Sequence, residues 1–192
     1  TISRAARECN LPRLLMPRND VFLLRHGQST WNAERRVQGH GDPPLTELGR
    51  VQAQASALTL KGLGIGRVIA SDLARARETA CIVAQFLGLS VHLDPAWRER
   101  DVGCWTGMTR GEIRARWPDS DARRDLLGSP QIGGEDGAVF EWRVRAALGA
   151  VRADACETAP TLVVTHRRVI KSLAPALKPA NGEIVPLSRD DN

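Results

Sequence analysis

Three features of the sequence predict an α/β fold with a mostly parallel sheet. Short apolar runs of strand length alternate with longer stretches of helical periodicity, in the order strand, helix, strand, helix, strand. Such an order calls for parallel strands joined by right-handed crossovers. Charged and polar residues able to do chemistry stand just past the carboxyl ends of the strands, the edge where ligands bind in open α/β sheets.

The first strand covers residues 21–24, four apolar residues suited to a strand covered on both faces. Arg25 and His26 end it, and Gly27 lets the backbone turn sharply. Residues 26–45 read as a loop long enough to be functional. Thr46 should cap a helix, with Glu47 in its positive first turn and an apolar face of Leu48, Val51, Ala55 and Leu58. Gly62, Gly64 and Gly66 end that helix. Residues 68–70 form a second strand, and 71–73 are the turn at its carboxyl end. A helix over 74–87 should bury Ala80, Val83, Ala84 and Leu87, with Cys81 as a small core residue, and stop at Gly88.

A third strand, 91–93, ends at Asp94-Pro95. Residues 96–107 read as an irregular loop, and 109–117 as a short helix with Thr109 and Glu112 in a capping box. Residues 119–134 lack periodicity and suit a mobile connection near the site mouth. Helical spacing returns over 137–155 through Val139, Trp142, Ala146 and Val151. Residues 161–165 are a fourth strand, 169–177 a helix, and 184–187 a weak strand that Pro186 confines to an edge. The stretch 178–192 looks short and polar for completing a sheet. No repeat or linker divides the chain, so one domain is expected over 20–192, after a loose arm over 1–19.

Composition narrows the function. The 192 residues are enough for a real core, and 42% apolar with 26% charged residues excludes disordered and fibrous classes. No apolar run has the length to cross a bilayer, so no membrane partner is expected. The apolar patch Leu14-Leu15-Met16 is too short for a secretory signal. The formal charge of +5 is carried by arginine, since Lys61, Lys171 and Lys178 are the only lysines. Arginine suits bidentate capture of phosphate. Nucleic acid is not expected as a partner: tyrosine is absent and the five tryptophans are scattered. Cys9, Cys81, Cys104 and Cys156 form neither a metal pattern nor a disulfide framework, which points to a reducing, cytoplasmic location.

A histidine flanked by arginine at one strand end, with a second histidine leaving another strand at Thr165-His166, suits covalent phosphoryl transfer through imidazole. Arg25-His26-Gly27, followed by Ser29 and Trp31-Asn32, resembles the signature of the histidine phosphatase superfamily, which includes phosphoglycerate mutases. Further matches follow in order: Gln38-Gly39, residues 42–45 with Thr46 and Gly49, Ser71-Asp72-Leu73 with Arg75-Ala76, Glu99 with Gly103 and Gly107, and Val164-Thr165-His166. The resemblance implies a three-layer α/β sandwich of the phosphoglycerate mutase type, with helices on both faces of the sheet.

His26 is the candidate nucleophile, and its other ring nitrogen should donate to a backbone carbonyl to fix the tautomer. Arg25 and Arg75 would clamp the phosphoryl oxygens, while Arg77 should be solvated. The resemblance adds His166 and Asn32 on the phosphate and Gln38 and Gly39 on the substrate side. It also selects Glu99, rather than Asp101, as proton donor to the leaving oxygen and later base for water. Trp97 and Trp105 are candidate apolar walls that would raise the pKa of Glu99. Where the family usually has glycine after the second histidine, this chain has Arg167 and then Arg168; Thr106 also replaces a frequent acid. Either the arginines favour a substrate with extra negative charge, the preferred expectation, or they distort the site.

A metal-independent phosphomonoesterase is therefore expected, acting on a small-molecule phosphate ester through a phosphohistidine, without a cofactor. Gln38 and the short run 118–134 favour it over a phosphoglycerate mutase. A pseudoenzyme that binds a phosphorylated ligand is the third reading, resting on Arg167. The oligomeric state is open, a homodimer included, and the ester itself is not legible.

Overall fold

The computed structural model describes residues 19–118, 133–154 and 159–188. The expected terminal arm (apart from Asn19), most of the connection over 119–134, and residues 155–158 and 189–192 lie outside the described residues. The elements run β1 (Asn19–Arg25), α1 (Thr30–Ala33), α2 (Glu47–Leu60), β2 (Arg67–Ala70), α3 (Ala74–Leu87), β3 (Val91–Leu93), α4 (Arg110–Arg116), α5 (Gly137–Ala153), β4 (Thr161–Thr165), α6 (Arg167–Leu173) and β5 (Ile184–Ser188). Among the described residues the strands form one sheet in the order β3-β2-β4-β1-β5. β1 to β4 are parallel, and β5 lies antiparallel along the outer side of β1.

Alternation along the strands divides the core into two halves. Val21, Leu23, Ile69 and Val163 face one way and pack with Phe140, Val144 and Leu148 of α5 and with Val169 and Ile170 of α6. Phe22, Leu24, Val68 and Val164 face the other way, against Ala57 and Leu60 of α2 and Ala76, Ala80 and Val83 of α3. The result is the three-layer sandwich that the sequence predicts. The helix after β1 covers one face and the helix after β4 the other, so the chain reverses its winding between these neighbouring strands. A crevice opens at their carboxyl ends.

Several local expectations need correction. On α2 the apolar residues Leu48, Val51 and Leu58 are 52%, 52% and 64% exposed, and the buried face is Gly49, Ala53, Ser56, Ala57 and Leu60. The helix seats itself through small residues because it approaches the loop after β1 at backbone contact. A Cβ on Gly49 would stand 2.1 Å from the Gln28 carbonyl oxygen, and one on Gly27 would stand 2.3 Å from the Gly49 oxygen. The side chain of Thr46 caps α2 by accepting from the Gly49 amide at 3.1 Å, and the Thr46 amide donates to the Gln28 carbonyl at 2.8 Å.

Cys81 is exposed rather than core, one residue past the stripe that α3 buries through Ala76, Ala80, Val83 and Ala84; Leu87 is only half-buried. On α5 the stripe facing the sheet is Phe140, Val144, Ala147, Leu148 and Val151, at spacings of four, seven, eight and eleven from its first member. Val139 and Trp142 lie outside that stripe and are exposed. α6 stops at Leu173, not at 177, because Pro175 has no amide hydrogen and disfavours helical geometry in Ala174 before it. The loop over 26–45 contains the short helix α1, started by a capping box between Ser29 and Asn32. Two 3-10 turns, Pro95–Trp97 and Gly103–Trp105, order the stretch read as irregular. The polar segment after α6 completes the sheet: Arg25 donates its amide to the Glu183 carbonyl at 3.1 Å, and Gly182 donates to the Arg25 carbonyl at 3.0 Å.

Gly49→Ala is expected to destabilise the protein by roughly 3 kcal/mol, the upper end for overpacking, because backbone meets the added methyl on the far side. Denaturant unfolding checks this, and an unchanged midpoint would mean that α2 can ride away from the loop without loss.

Candidate active site

Parallel pairing puts Arg25 opposite Thr165, and the His26 amide donates to the Thr165 carbonyl at 3.0 Å. The next residue on each strand is therefore a histidine at the same height. The His26 and His166 rings lie 5.2 Å apart between centroids, tilted by 58°. Both are almost wholly buried. His26 Nδ1 is 2.7 Å from the Gly27 carbonyl oxygen, which can only accept, so Nδ1 carries the proton and Nε2 keeps its lone pair. Thr79 holds that turn: its hydroxyl accepts from the Gly27 amide at 3.0 Å and donates to the Arg75 carbonyl at 2.7 Å. His166 is held from β2, with Nε2 2.8 Å from Ser71 Oγ.

Arg75 is 1% exposed, and its guanidinium donates to the carbonyls of Gly41 and Gly39 at 2.7 and 2.9 Å. Gly39 meets this need at φ +47, where an added Cβ would stand 2.6 Å from Val102. Arg25 donates to the Pro179 carbonyl at 2.9 Å. These acceptors orient both guanidinium groups without neutralising them. Burial, then the nearby Arg167 charge, lowers the Arg25 pKa to about 10; burial lowers Arg75 to about 10 as well, against the pull of Glu99 and Asp42. Both stay charged at neutral pH. Arg25 Nε, Arg75 Nε and His166 Nδ1 are buried and have no hydrogen-bond partner among the described residues.

A cavity of about 1130 Å³ is lined by Arg25, His26, Asn32, Arg75, Glu99 and Arg167 among others. Glu99 reaches it from the segment after the first 3-10 turn. Its carboxylate accepts from the Arg100 amide at 2.8 Å and from the Arg168 amide at 3.4 Å, and its carbonyl accepts from His40 Nε2 at 2.9 Å. Asp101 turns aside, with one oxygen accepting from the Gly103 amide at 2.9 Å. The expected tryptophan walls are absent from this cavity. Trp97 belongs to the α5 and α6 half of the core, and Trp105 packs with Val102 and Ile113. Trp31 lines the cavity instead, and the groups acting on Glu99 include the charges of Arg25, Arg75 and Arg168.

Asn32, Gln38 and Gly39 also line the cavity, and Gln38 Oε1 accepts from Ser29 Oγ at 2.8 Å. Arg167 and Arg168 open α6 and line the cavity, as do Arg110, Lys171 and Lys178. Arg77 is exposed. Sequence reasoning passed over Thr79 and Asn181. Thr79 follows Arg75 by one helical turn, and Asn181-Gly182 is a turn dipeptide just ahead of a strand, so both carried a local signal.

Comparison with known proteins agrees with this geometry. The model of the histidine phosphatase superfamily (branch 1) matches residues 21–184. A protein of Erwinia tasmaniensis named "Probable phosphoglycerate mutase GpmB" is 38% identical over 173 residues, 85% of this chain and 77% of its own. Its namesake in Cronobacter sakazakii is 54% identical over 83 residues, 43% of this chain and 39% of its own. Among solved structures, a mycobacterial glucosyl-3-phosphoglycerate phosphatase is 31% identical, with a TM-score of 0.78 over 85% of this chain and 88% of that one. A phosphoglycerate mutase from Thermus thermophilus is also 31% identical, with a TM-score of 0.68 over 88% and 93%.

Burial, then the charges of Arg75 and Arg25, pushes the His26 pKa well below its ordinary value; burial, then Arg75, does the same for His166. Between the ordinary value of about 6.5 and the depressed one, the unfolded chain binds protons that the folded protein does not. Stability is therefore complete above about pH 6.5 and falls as the pH drops through that window. Thermal melting at successive pH values should show the decline, and nitrogen NMR should find both rings neutral at about pH 6. Ordinary titration of either ring near 6.5 would contradict the burial argument.

Proposed function

The chain belongs to branch 1 of the histidine phosphatase superfamily, and on that footing we propose that it is a metal-independent phosphomonoesterase acting on a small, anionic phosphate ester. The observation that carries this reading is the 2.7 Å bond from His26 Nδ1 to the Gly27 carbonyl. It presents Nε2 as a neutral nucleophile between two uncompensated guanidinium groups, with a carboxylate on the same cavity.

Nε2 attacks phosphorus, and the bond from phosphorus to the ester oxygen breaks, its electron pair leaving with that oxygen. Glu99, which must enter the step as the carboxylic acid, supplies the proton and is left as the carboxylate. Water then attacks the phosphohistidine, giving its proton to Glu99, and inorganic phosphate departs while His26 becomes neutral again. Arg25, Arg75, His166 and Asn32 bind the phosphoryl oxygens and stabilise the charge that builds on them. Neutralisation by arginine is what allows the step to proceed without a metal.

Arg167, Arg168, Lys171 and Lys178 line the same cavity as Arg25 and Arg75. They favour an ester that carries further negative charge, and give Arg167 a use in place of the backbone approach that glycine would allow. The similarity to a glucosyl-3-phosphoglycerate phosphatase supports hydrolysis. The relatives named as phosphoglycerate mutases favour a second reading on the same residues, return of the phosphoryl group to another hydroxyl.

Phosphate release from a panel of monoesters, with chelator present and both phosphoglycerates included, tests the proposal. Release is expected, and transfer between the phosphoglycerate positions would replace it with the mutase reading. A folded protein that does neither would indicate binding without turnover. His26→Ala should abolish phosphoenzyme formation and turnover. Glu99→Gln should cost about 100-fold or more with poor leaving groups and far less with good ones; equal losses would indicate a structural role. Arg167→Gly should lower kcat/KM about tenfold for multiply charged esters alone, the worth of one charge-assisted contact.

A further inference from the structure

The turn that leads into β5 touches three parts of the phosphate site. Pro179 accepts from Arg25, Gly182 bonds to the Arg25 backbone, and the Asn181 side chain reaches both His26 and Asn32. Asn181 Nδ2 stands 2.9 Å from the His26 carbonyl oxygen and 3.2 Å from Asn32 Oδ1. One amide group has two hydrogens and can make both bonds at once.

Chemistry fixes which way each amide faces. The His26 carbonyl can only accept, so Asn181 must present its NH₂ there. The Ser29 amide can only donate, and it stands 3.1 Å from the Asn32 side chain, so Asn32 must present Oδ1. Ser29 Oγ approaches the same oxygen at 3.1 Å. The one hydrogen of the Ser29 hydroxyl goes to Gln38 Oε1 at the shorter 2.8 Å, so two donors, the Ser29 amide and Asn181 Nδ2, hold Asn32 Oδ1, and the amide can expose only its Nδ2 end to the cavity that Asn32 lines. Without Asn181, one of the two hydrogen bonds that hold the amide plane is gone.

The turn that delivers Asn181 is itself well held. Its Gly182 carbonyl accepts from Ser56 Oγ of α2 at 2.7 Å, the Glu183 amide bonds the Ala180 carbonyl at 3.2 Å, and Glu183 Oε2 accepts from the Ala180 amide at 2.6 Å. Gly182 sits at φ +78, with an ideal Cβ only 3.1 Å from Gln52. Asn181 is therefore offered to the site by a turn braced against the sheet and α2.

We propose that Asn181 is a positioning residue of the phosphoryl-transfer site: it anchors on the His26 carbonyl and orients Asn32 so that the Asn32 amide donates to the phosphoryl group. This rests on the phosphatase reading above, but its signature is an equilibrium one. Orthovanadate, a five-coordinate mimic of the transferring group, should bind Asn181→Ala about tenfold more weakly than the native protein, while inorganic phosphate should lose less. In an Asn32→Ala background the same change should cost under about twofold, because the group it orients is gone; contacts that act as a unit give such non-additive cycles.

Full, additive losses in the two backgrounds would overturn the proposal, as would unchanged vanadate affinity in Asn181→Ala. If the alanine variant does not fold, Asn181→Asp keeps the side-chain shape and turn preference and carries the same cycle. Hydrolysis by the native protein is measured alongside. A native protein that binds vanadate with the expected coupling but releases no phosphate would retain the positioning role and remove the phosphatase reading. Absence of vanadate binding by the folded native protein would remove both.

Discussion

The pairing of β1 with β4 is the constraint on which the rest of the molecule depends. Two parallel strands in register end at the same level, so whatever follows them is brought side by side without any further device. Here each is followed by histidine, and the bond from the His26 amide to the Thr165 carbonyl carries the ladder one residue past β1 into the site. The four parallel strands, the helices on opposite faces and the reversal of winding between β1 and β4 all serve to keep that pair buried at the mouth of a crevice. Small residues on α2 then let the loop after β1 lie against the helix at backbone distance.

Charge is the second organising fact. Burying arginine beside arginine is costly, and it is tolerated because main-chain carbonyls of Gly39, Gly41 and Pro179 satisfy part of each guanidinium while leaving its charge intact. Burial first, and then these same charges, keep His26 and His166 neutral. An anion that enters meets a fixed positive field and a neutral His26 together, so on the proposed reading little reorganisation is needed when the reacting bond begins to stretch.

Much of this was legible in the sequence, for physical reasons that differ by residue. The strands announce themselves because a strand buried on both faces is a continuous apolar run, as at 21–24. His26, Arg25, Arg75, Glu99, His166 and Arg167 could be named because they sit at strand ends or in ordered motifs; the fold brings all but His166 to the lining of one cavity and sets His166 beside His26. The helix faces were harder. α2 packs through Gly49, Ala53 and Ala57, residues whose smallness is what matters, so a search for large apolar residues selects Leu48, Val51 and Leu58 on the solvent side. On α5, Trp142 drew the frame away from the stripe of Phe140, Val144 and Leu148. Trp97 and Trp105 were misplaced because nearness in sequence to Glu99 says nothing about which way each side chain leaves an irregular turn. Asn181-Gly182 carried the local signal of a turn, but the reach of Asn181 to His26 and Asn32 was not legible, because these partners lie 155 and 149 residues away.

That separation has a consequence for how activity is acquired. His26 stands near one end of the described chain, and the turn that holds Arg25, His26 and Asn32 stands near the other, just before the last strand of the sheet. Contacts of such long range require the intervening chain to be arranged first. On the proposed reading, a partly synthesised or partly refolded molecule therefore owns His26 and both guanidinium groups yet lacks the grip that aligns them. Turnover, on the same reading, reports on closure of the whole sheet, since the site is held only once β5 has docked.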